Sequence, residues 1–143
     1  MGLLKLLARD PLAFALVAIP LLFSVIIHEV AHGWVAYKMG DSTAKWSGRL
    51  TLNPLKHLDP IGTLMLFLAG FGWAKPVPVN IGYIADRRKG LILVSSAGII
   101  ANITFAFIAL FLYRLISPES STAITKILYY VAKINIMLAA FNL

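Results

Sequence analysis

Twenty-three consecutive residues, Leu91 to Tyr113, carry no formal charge. About 20 apolar residues match the hydrocarbon thickness of a bilayer, and a water-soluble helix of that length keeps a polar face, so this stretch makes lipid part of the chain's solvent. Asp86-Arg87-Arg88-Lys89 precedes it and Arg114 follows it, the charged margins expected where a span meets headgroups. A second uncharged run, Pro11 to Ile27, continues in apolar character past His28, Glu29 and His32 to Tyr37, and Gly40 is placed to cap it. Lys5 and Arg9 ahead of this run resemble the start of a signal peptide. The run is too long for that, however, and no A-x-A-like cleavage site follows. A third apolar segment starts at Ile124 and reaches Leu143, interrupted by Lys126 and Lys133, with Tyr129 and Tyr130 suited to the headgroup level.

Composition agrees with this reading. Of the 143 residues, 59% are AVILMFWYC and 13% are charged, against about 45–50% and about 25% in soluble domains. The net charge of +7 sits between apolar runs, which fits anionic lipid headgroups and the margins of membrane spans better than a nucleic-acid-binding face. With no cysteine, disulfides and thiolate metal sites are excluded, and any metal must be held by His, Asp or Glu.

The connections are polar and rich in turn formers. Residues 41 to 60 form one of them, in which Arg49-Leu50-Thr51-Leu52 alternates at strand period and Asn53-Pro54 stops it. Ile61 to Ala74 is uncharged but only 14 residues long, so a short tilted span and a re-entrant segment both remain open. The prolines of Pro76-Val77-Pro78-Val79-Asn80 restrict that stretch to an edge strand or an extended loop. Ser117 to Ser121 reads as a turn. The expected architecture is an all-α membrane protein, a polytopic transmembrane helix bundle of three to four membrane segments with short extended interfacial segments. It forms a single membrane-embedded unit over residues 1–143. The cations do not fix its orientation.

The chemistry lies in His28-Glu29-Val30-Ala31-His32, an H-E-x-x-H motif. On a helix, positions i and i+4 share a face, so both imidazoles reach one ion, and the glutamate between them is within reach of a water at that ion. Burying three ionisable side chains in an apolar span is costly, and such groups in a membrane mark function. The expected chemistry is zinc-assisted hydrolysis at one Zn2+ per chain, with His28 and His32 as ligands and Glu29 as general base. A catalytic zinc usually takes three protein ligands. Candidates for the third are Asp10, Asp41, Asp59, Asp86, Glu119 and His57, and for each a cap, turn or interface role is the plainer explanation. Trp34, Trp46 and Trp73 are expected as interface anchors or packing.

These residues resemble the site-2 protease family of intramembrane zinc metalloproteases, in its compact branch. The resemblance rests on six stretches in order: HEVAHGW from His28, Gly40-Asp41, GRLTLNPLKHLDPIG from Gly48, AKPVPVN from Ala74, Ala97-Gly98 with Asn102, and Phe141-Asn142-Leu143. It implies a metalloprotease core that cleaves transmembrane protein substrates in the lipid bilayer of the cell membrane. His28 and His32 would be its zinc ligands, Glu29 its base, and Asn102 and Asn142 would hold substrate backbone. Ile99 stands where the family has proline. The family's third ligand is an aspartate in a Leu-Asp-Gly shortly after the Phe-Asn-Leu segment, so the chain is expected to be truncated before it. Without the resemblance, each asparagine reads more readily as a helix-packing hydrogen bond. Arg49 to Leu52 and Pro76 to Asn80 would offer edges for an unwound substrate. Membrane metal transport and a non-catalytic fragment that binds clients are the competing functions.

Overall fold

The structure is a computed structural model that describes residues 3–69, 72–116 and 122–143. The expected turn at Ser117 to Ser121, with Glu119 in it, lies outside the described residues. The chain is an all-α bundle, and three of its helices are long and apolar enough to cross a membrane: α2 (Pro11–Lys38), α5 (Arg87–Leu115) and α6 (Ala123–Phe141). Shorter helices are α1 (Leu3–Arg9), α3 (Thr43–Trp46) and α4 (Pro60–Ala69). At 10 residues, α4 is about half the length a span requires.

Each long helix starts on a side-chain cap. Asp10 accepts from the Ala13 amide at 2.9 Å, with Pro11 in the first helical position, and Asp86 accepts from the Lys89 amide at 3.0 Å. Thr122 and Thr125 exchange side-chain and backbone bonds as a capping box. Helix α2 ends at a Schellman motif. The Gly40 amide bonds to Tyr37 O at 3.1 Å and the Asp41 amide to Ala36 O at 2.9 Å. That geometry requires the left-handed backbone of Gly40, φ +109°.

Helices α2, α5 and α6 pack against one another, α5 on α6 most extensively. The contact faces are built from small residues. Buried positions on α5 are Gly90, Val94, Ala97, Gly98, Asn102, Ala106 and Ala109, while Phe107, Ile100 and Phe111 face outward. Helices in lipid gain little from burying large apolar groups against each other, and small side chains let their backbones approach closely. A polar pair in this interior links α6 to α2: Asn135 donates to Ser24 Oγ at 2.8 Å.

The expected strand at Arg49 to Leu52 is not formed. Among the described residues there is no β-ladder, only an isolated antiparallel bridge between Leu58 and Ala74. A strand needs a partner edge with free backbone groups, and here side chains have taken them. The Thr51 carbonyl accepts from the His57 ring at 2.7 Å, and the neighbouring stretch, Pro76 to Asn80, gives its amides at Val77 and Asn80 to Glu29 and Asp41. That stretch is therefore an extended loop. Arg49 is buried and donates to the Lys75 carbonyl at 2.5 Å, which ties the two loops together from the side.

A candidate metal centre on the second helix

Ser24, His28 and His32 stand four residues apart along α2 and so occupy one face, which turns toward α5 and α6. His28 is buried, and its Nε2 lies 3.0 Å from Nε2 of His32. Tetrahedral zinc with Zn–N of about 2.0–2.1 Å separates two ligand nitrogens by about 3.3 Å, so the pair is close to the spacing for one shared ion. His32 Nδ1 donates to the Val94 carbonyl on α5 at 2.6 Å. A carbonyl only accepts, so the proton of neutral His32 sits on Nδ1 and Nε2 presents its lone pair, the usual arrangement behind a metal-binding histidine. His28 Nδ1 meets the amide of Asn102 at 3.1 Å, and Asn102 is fully buried.

Gly98 makes room for this ring. A Cβ at that position would stand 2.5–2.6 Å from Cε1, Nδ1 and Nε2 of His28. Gly33, one residue beyond His32, does the same for the loop that covers the site, since a Cβ there would meet Val77 Cγ1 at 2.6 Å. The Val77 amide donates to Glu29 Oε2 at 3.0 Å, so the extended loop fixes one carboxylate oxygen.

The structure thus brings together His28, His32 and Asn102, with Glu29 anchored alongside by Val77. Asn142 is placed differently: it is exposed at the end of α6, with its amide on the Leu138 carbonyl at 2.7 Å. Among the described residues no group of three His, Asp or Glu side chains comes together to hold a metal, and the candidates for a third ligand have other work. Asp10 and Asp86 cap helices, and Asp59 accepts from the Gly62 amide at 2.7 Å. His57 is fully buried on Thr51. Asp41, also fully buried, accepts from the Thr43 amide at 3.0 Å, the Asn80 amide at 2.6 Å and the Thr43 hydroxyl. Burial pushes its carboxyl up, but those hydrogen bonds outweigh burial and hold it below the ordinary carboxylate range.

Sequence reasoning met Gly98 and Val77 only as members of matched stretches, with no role of their own, and passed over Val94 and the Ser24–Asn135 pair. The four-residue spacing of Ser24 to the histidines was the available signal for the last of these.

No family model matches the chain, and no solved structure matches it. Curated relatives do. It is 46% identical over 132 residues to "Putative zinc metalloprotease YwhC" of Bacillus subtilis, covering 87% of this chain and 60% of that protein. It is 35% identical over 107 residues to "Putative zinc metalloprotease Rip2" of Mycolicibacterium smegmatis, covering 71% of this chain and 40% of the relative. Identity to the protein of the same name from Mycobacterium tuberculosis is 33% over 117 residues, covering 75% of this chain and 44% of the relative. The chain therefore spans between two fifths and three fifths of these relatives' own lengths. Through most of its own length it is similar to proteins named zinc metalloproteases.

Proposed function

We propose that the chain is the core of an intramembrane zinc metalloendopeptidase of the site-2 protease type. It would hydrolyse peptide bonds in or next to transmembrane segments of substrate proteins in the cell membrane. The observation that carries this reading is the facing pair of imidazole nitrogens, 3.0 Å apart on a helix of membrane-crossing length, with Glu29 one residue from His28. The names of the relatives support it.

His28 and His32 would hold the ion through Nε2. The chemistry zinc supplies when bound is Lewis-acid activation of water and of the scissile carbonyl. Glu29, with Oε2 accepting from the Val77 amide, would be the base that takes the proton of the attacking water and returns it to the leaving amine. Substrate must be extended locally, because a helix keeps its amide bonds inaccessible. An apolar cleft of about 530 Å³ between α2 and α4, lined by Leu22, Val25, Leu66 and Phe67 and reaching Leu58 and Ala74, gives an apolar segment a place beside the loops.

The test is reconstitution of the complete gene product in liposomes with a single-span protein substrate. Cleavage is expected, with loss on Glu29→Gln; cleavage that survives that substitution refutes the reading. The two-histidine ligand set among the described residues favours one alternative, a membrane metal-binding or transport protein, which predicts zinc flux in the same liposomes without hydrolysis.

A further inference from the structure

Two carboxylates at one helix hold the same stretch of chain. Glu29, within α2, accepts the Val77 amide at 3.0 Å, and Asp41, just past the end of α2, accepts the Asn80 amide at 2.6 Å. Asp41 is itself tied to the helix, because its backbone amide is bonded to Ala36 O at 2.9 Å and its side chain is fully buried. Between the two anchor points the extended loop lies along α2. Val77 fills the space left by Gly33, and Val79 packs against Ala36, Ile84 and Val94. Pro78 stands between the anchored amides. Its ring fixes φ at about −65°, and three residues of extended chain reach about 10 Å at most, so a shift at Asn80 is passed on to Val77 instead of being taken up as slack. The other flank of the loop is tied to the connection ahead of α4, by Lys75 N to His57 O at 2.8 Å and by Arg49 to Lys75 O at 2.5 Å. Of these anchors, Glu29 and Asp41 are the ones that belong to α2 and its end.

From this we infer that Asp41 is a positioning residue for Glu29: it fixes the loop along the helix that carries Glu29, and the loop in turn fixes the carboxylate through the Val77 amide. The inference rests on the protease reading proposed above, in which Glu29 is the base. A helix sets the direction in which the Cβ of Glu29 points but leaves the outer side-chain torsions free. The Val77 amide supplies the orientation that the helix does not. Burying an ionised carboxylate such as Asp41 is costly unless donors surround it, and its bonds divide into two kinds. Those from the Thr43 amide, at 3.0 Å, and the Thr43 hydroxyl are local and close the turn after α2. The bond from Asn80 joins positions 39 apart in the chain. Turn formation leaves that bond unexplained, and holding the loop in register with Glu29 explains it.

The experiment uses the complete gene product, in liposomes with a single-span substrate for kinetics and in detergent micelles with 15N-labelled valine for amide exchange. Asp41→Asn has one acceptor oxygen in place of two, so it can keep the local Thr43 bonds only by turning an NH2 donor on the Asn80 amide. Pro78→Gly leaves both anchors and slackens the chain between them; it carries the test if Asp41→Asn does not fold. In each, the Val77 amide should exchange about 10-fold or more faster than in the wild type, the loss expected for a hydrogen bond to a charged group. The kcat should fall about 10–100-fold, the cost of a catalytic group misplaced by about 1 Å. KM should change little, because the base acts in the transition state. Thr43→Val removes a local bond of Asp41 and should lower stability while leaving Val77 exchange and kcat as in the wild type. Retained helical content separates these effects from misfolding. Val77 exchange at the wild-type rate in the folded Asp41→Asn protein, faster exchange with unchanged kcat, or a loss confined to KM overturns the inference alone. So does Thr43→Val that speeds Val77 exchange as much as Asp41→Asn. A wild-type protein that does not cleave, or cleavage that survives Glu29→Gln, overturns the protease reading and the inference with it.

Discussion

Gly98→Ala is a one-carbon change whose effect can be worked from the structure. The nearest ring atom of His28 stands 2.5 Å from where the new Cβ would sit, against an ordinary contact of at least 3.4 Å. Either the ring or the α2–α5 spacing must therefore yield by about 0.9 Å, because the interior is close-packed. The ring cannot absorb this without leaving Asn102, its 3.1 Å partner, or His32, its 3.0 Å partner. Overpacking of this kind costs about 1–3 kcal/mol of stability, and a displaced ligand weakens metal binding by about 10–100-fold. The first is measured on the purified protein by denaturant or thermal unfolding in detergent, and the second, which rests on the zinc reading proposed above, by zinc competition. Gly48→Ala is the control. Gly48 has φ +66° with nothing within 4 Å of its would-be Cβ, so alanine there costs about 1 kcal/mol of backbone strain and leaves zinc affinity unchanged. A Gly98→Ala protein with wild-type stability and wild-type zinc affinity would show that the ring is not confined as described.

Gly33→Ala should push Val77 off Glu29, since its Cβ would meet Val77 Cγ1 at 2.6 Å; a loss of about 1–3 kcal/mol is expected. Val77→Ala should relieve part of that loss, a non-additivity that a double-mutant cycle measures. Ser24→Ala removes the hydrogen bond from Asn135, which keeps its second one to Val131 O at 2.8 Å. The expected cost in unfolding assays is about 0.6 kcal/mol, the average for such bonds between membrane helices. Asp41 has a folded pKa below its unfolded value. Its contribution to stability is therefore present above the unfolded pKa and is lost as pH falls through the folded one. Asp41→Asn should flatten the acid limb of the stability profile below about pH 4, the unfolded value for aspartate, and an unchanged limb would refute the assignment.

The three long helices were legible because charge is excluded from long runs, and no tertiary detail is needed to see that. The failure at Arg49 to Leu52 is instructive. Alternation shows which side chains share a face, but not whether an edge with free amides lies opposite. Here Pro76 and Pro78 remove two of those amides, and Glu29 and Asp41 capture two more. Asp10 and Asp86 read as interface charges beside arginines and prove to be helix caps, a role set by the amides of Ala13 and Lys89 three residues on. His28, Glu29 and His32 were legible because their spacing is local to one helix. The contacts of His28 with Gly98 and Asn102 join positions about 70 residues apart in the chain, and spacing within one helix carries no information about such partners.

The interior of small residues on α5 and α6 has a consequence for how this chain can vary. In soluble proteins, interior positions select for oiliness and surface positions accept almost anything polar. Here the outward positions, such as Ile100, Phe107 and Phe111, should tolerate exchange among all large apolar residues. The inward ones, Ala97, Ala106, Ala109, Ala132 and Ala139, should reject anything bigger, however apolar. A saturation scan of α5 would accordingly follow side-chain volume, not hydropathy, on one face and hydropathy, not volume, on the other, alternating with the period of the helix.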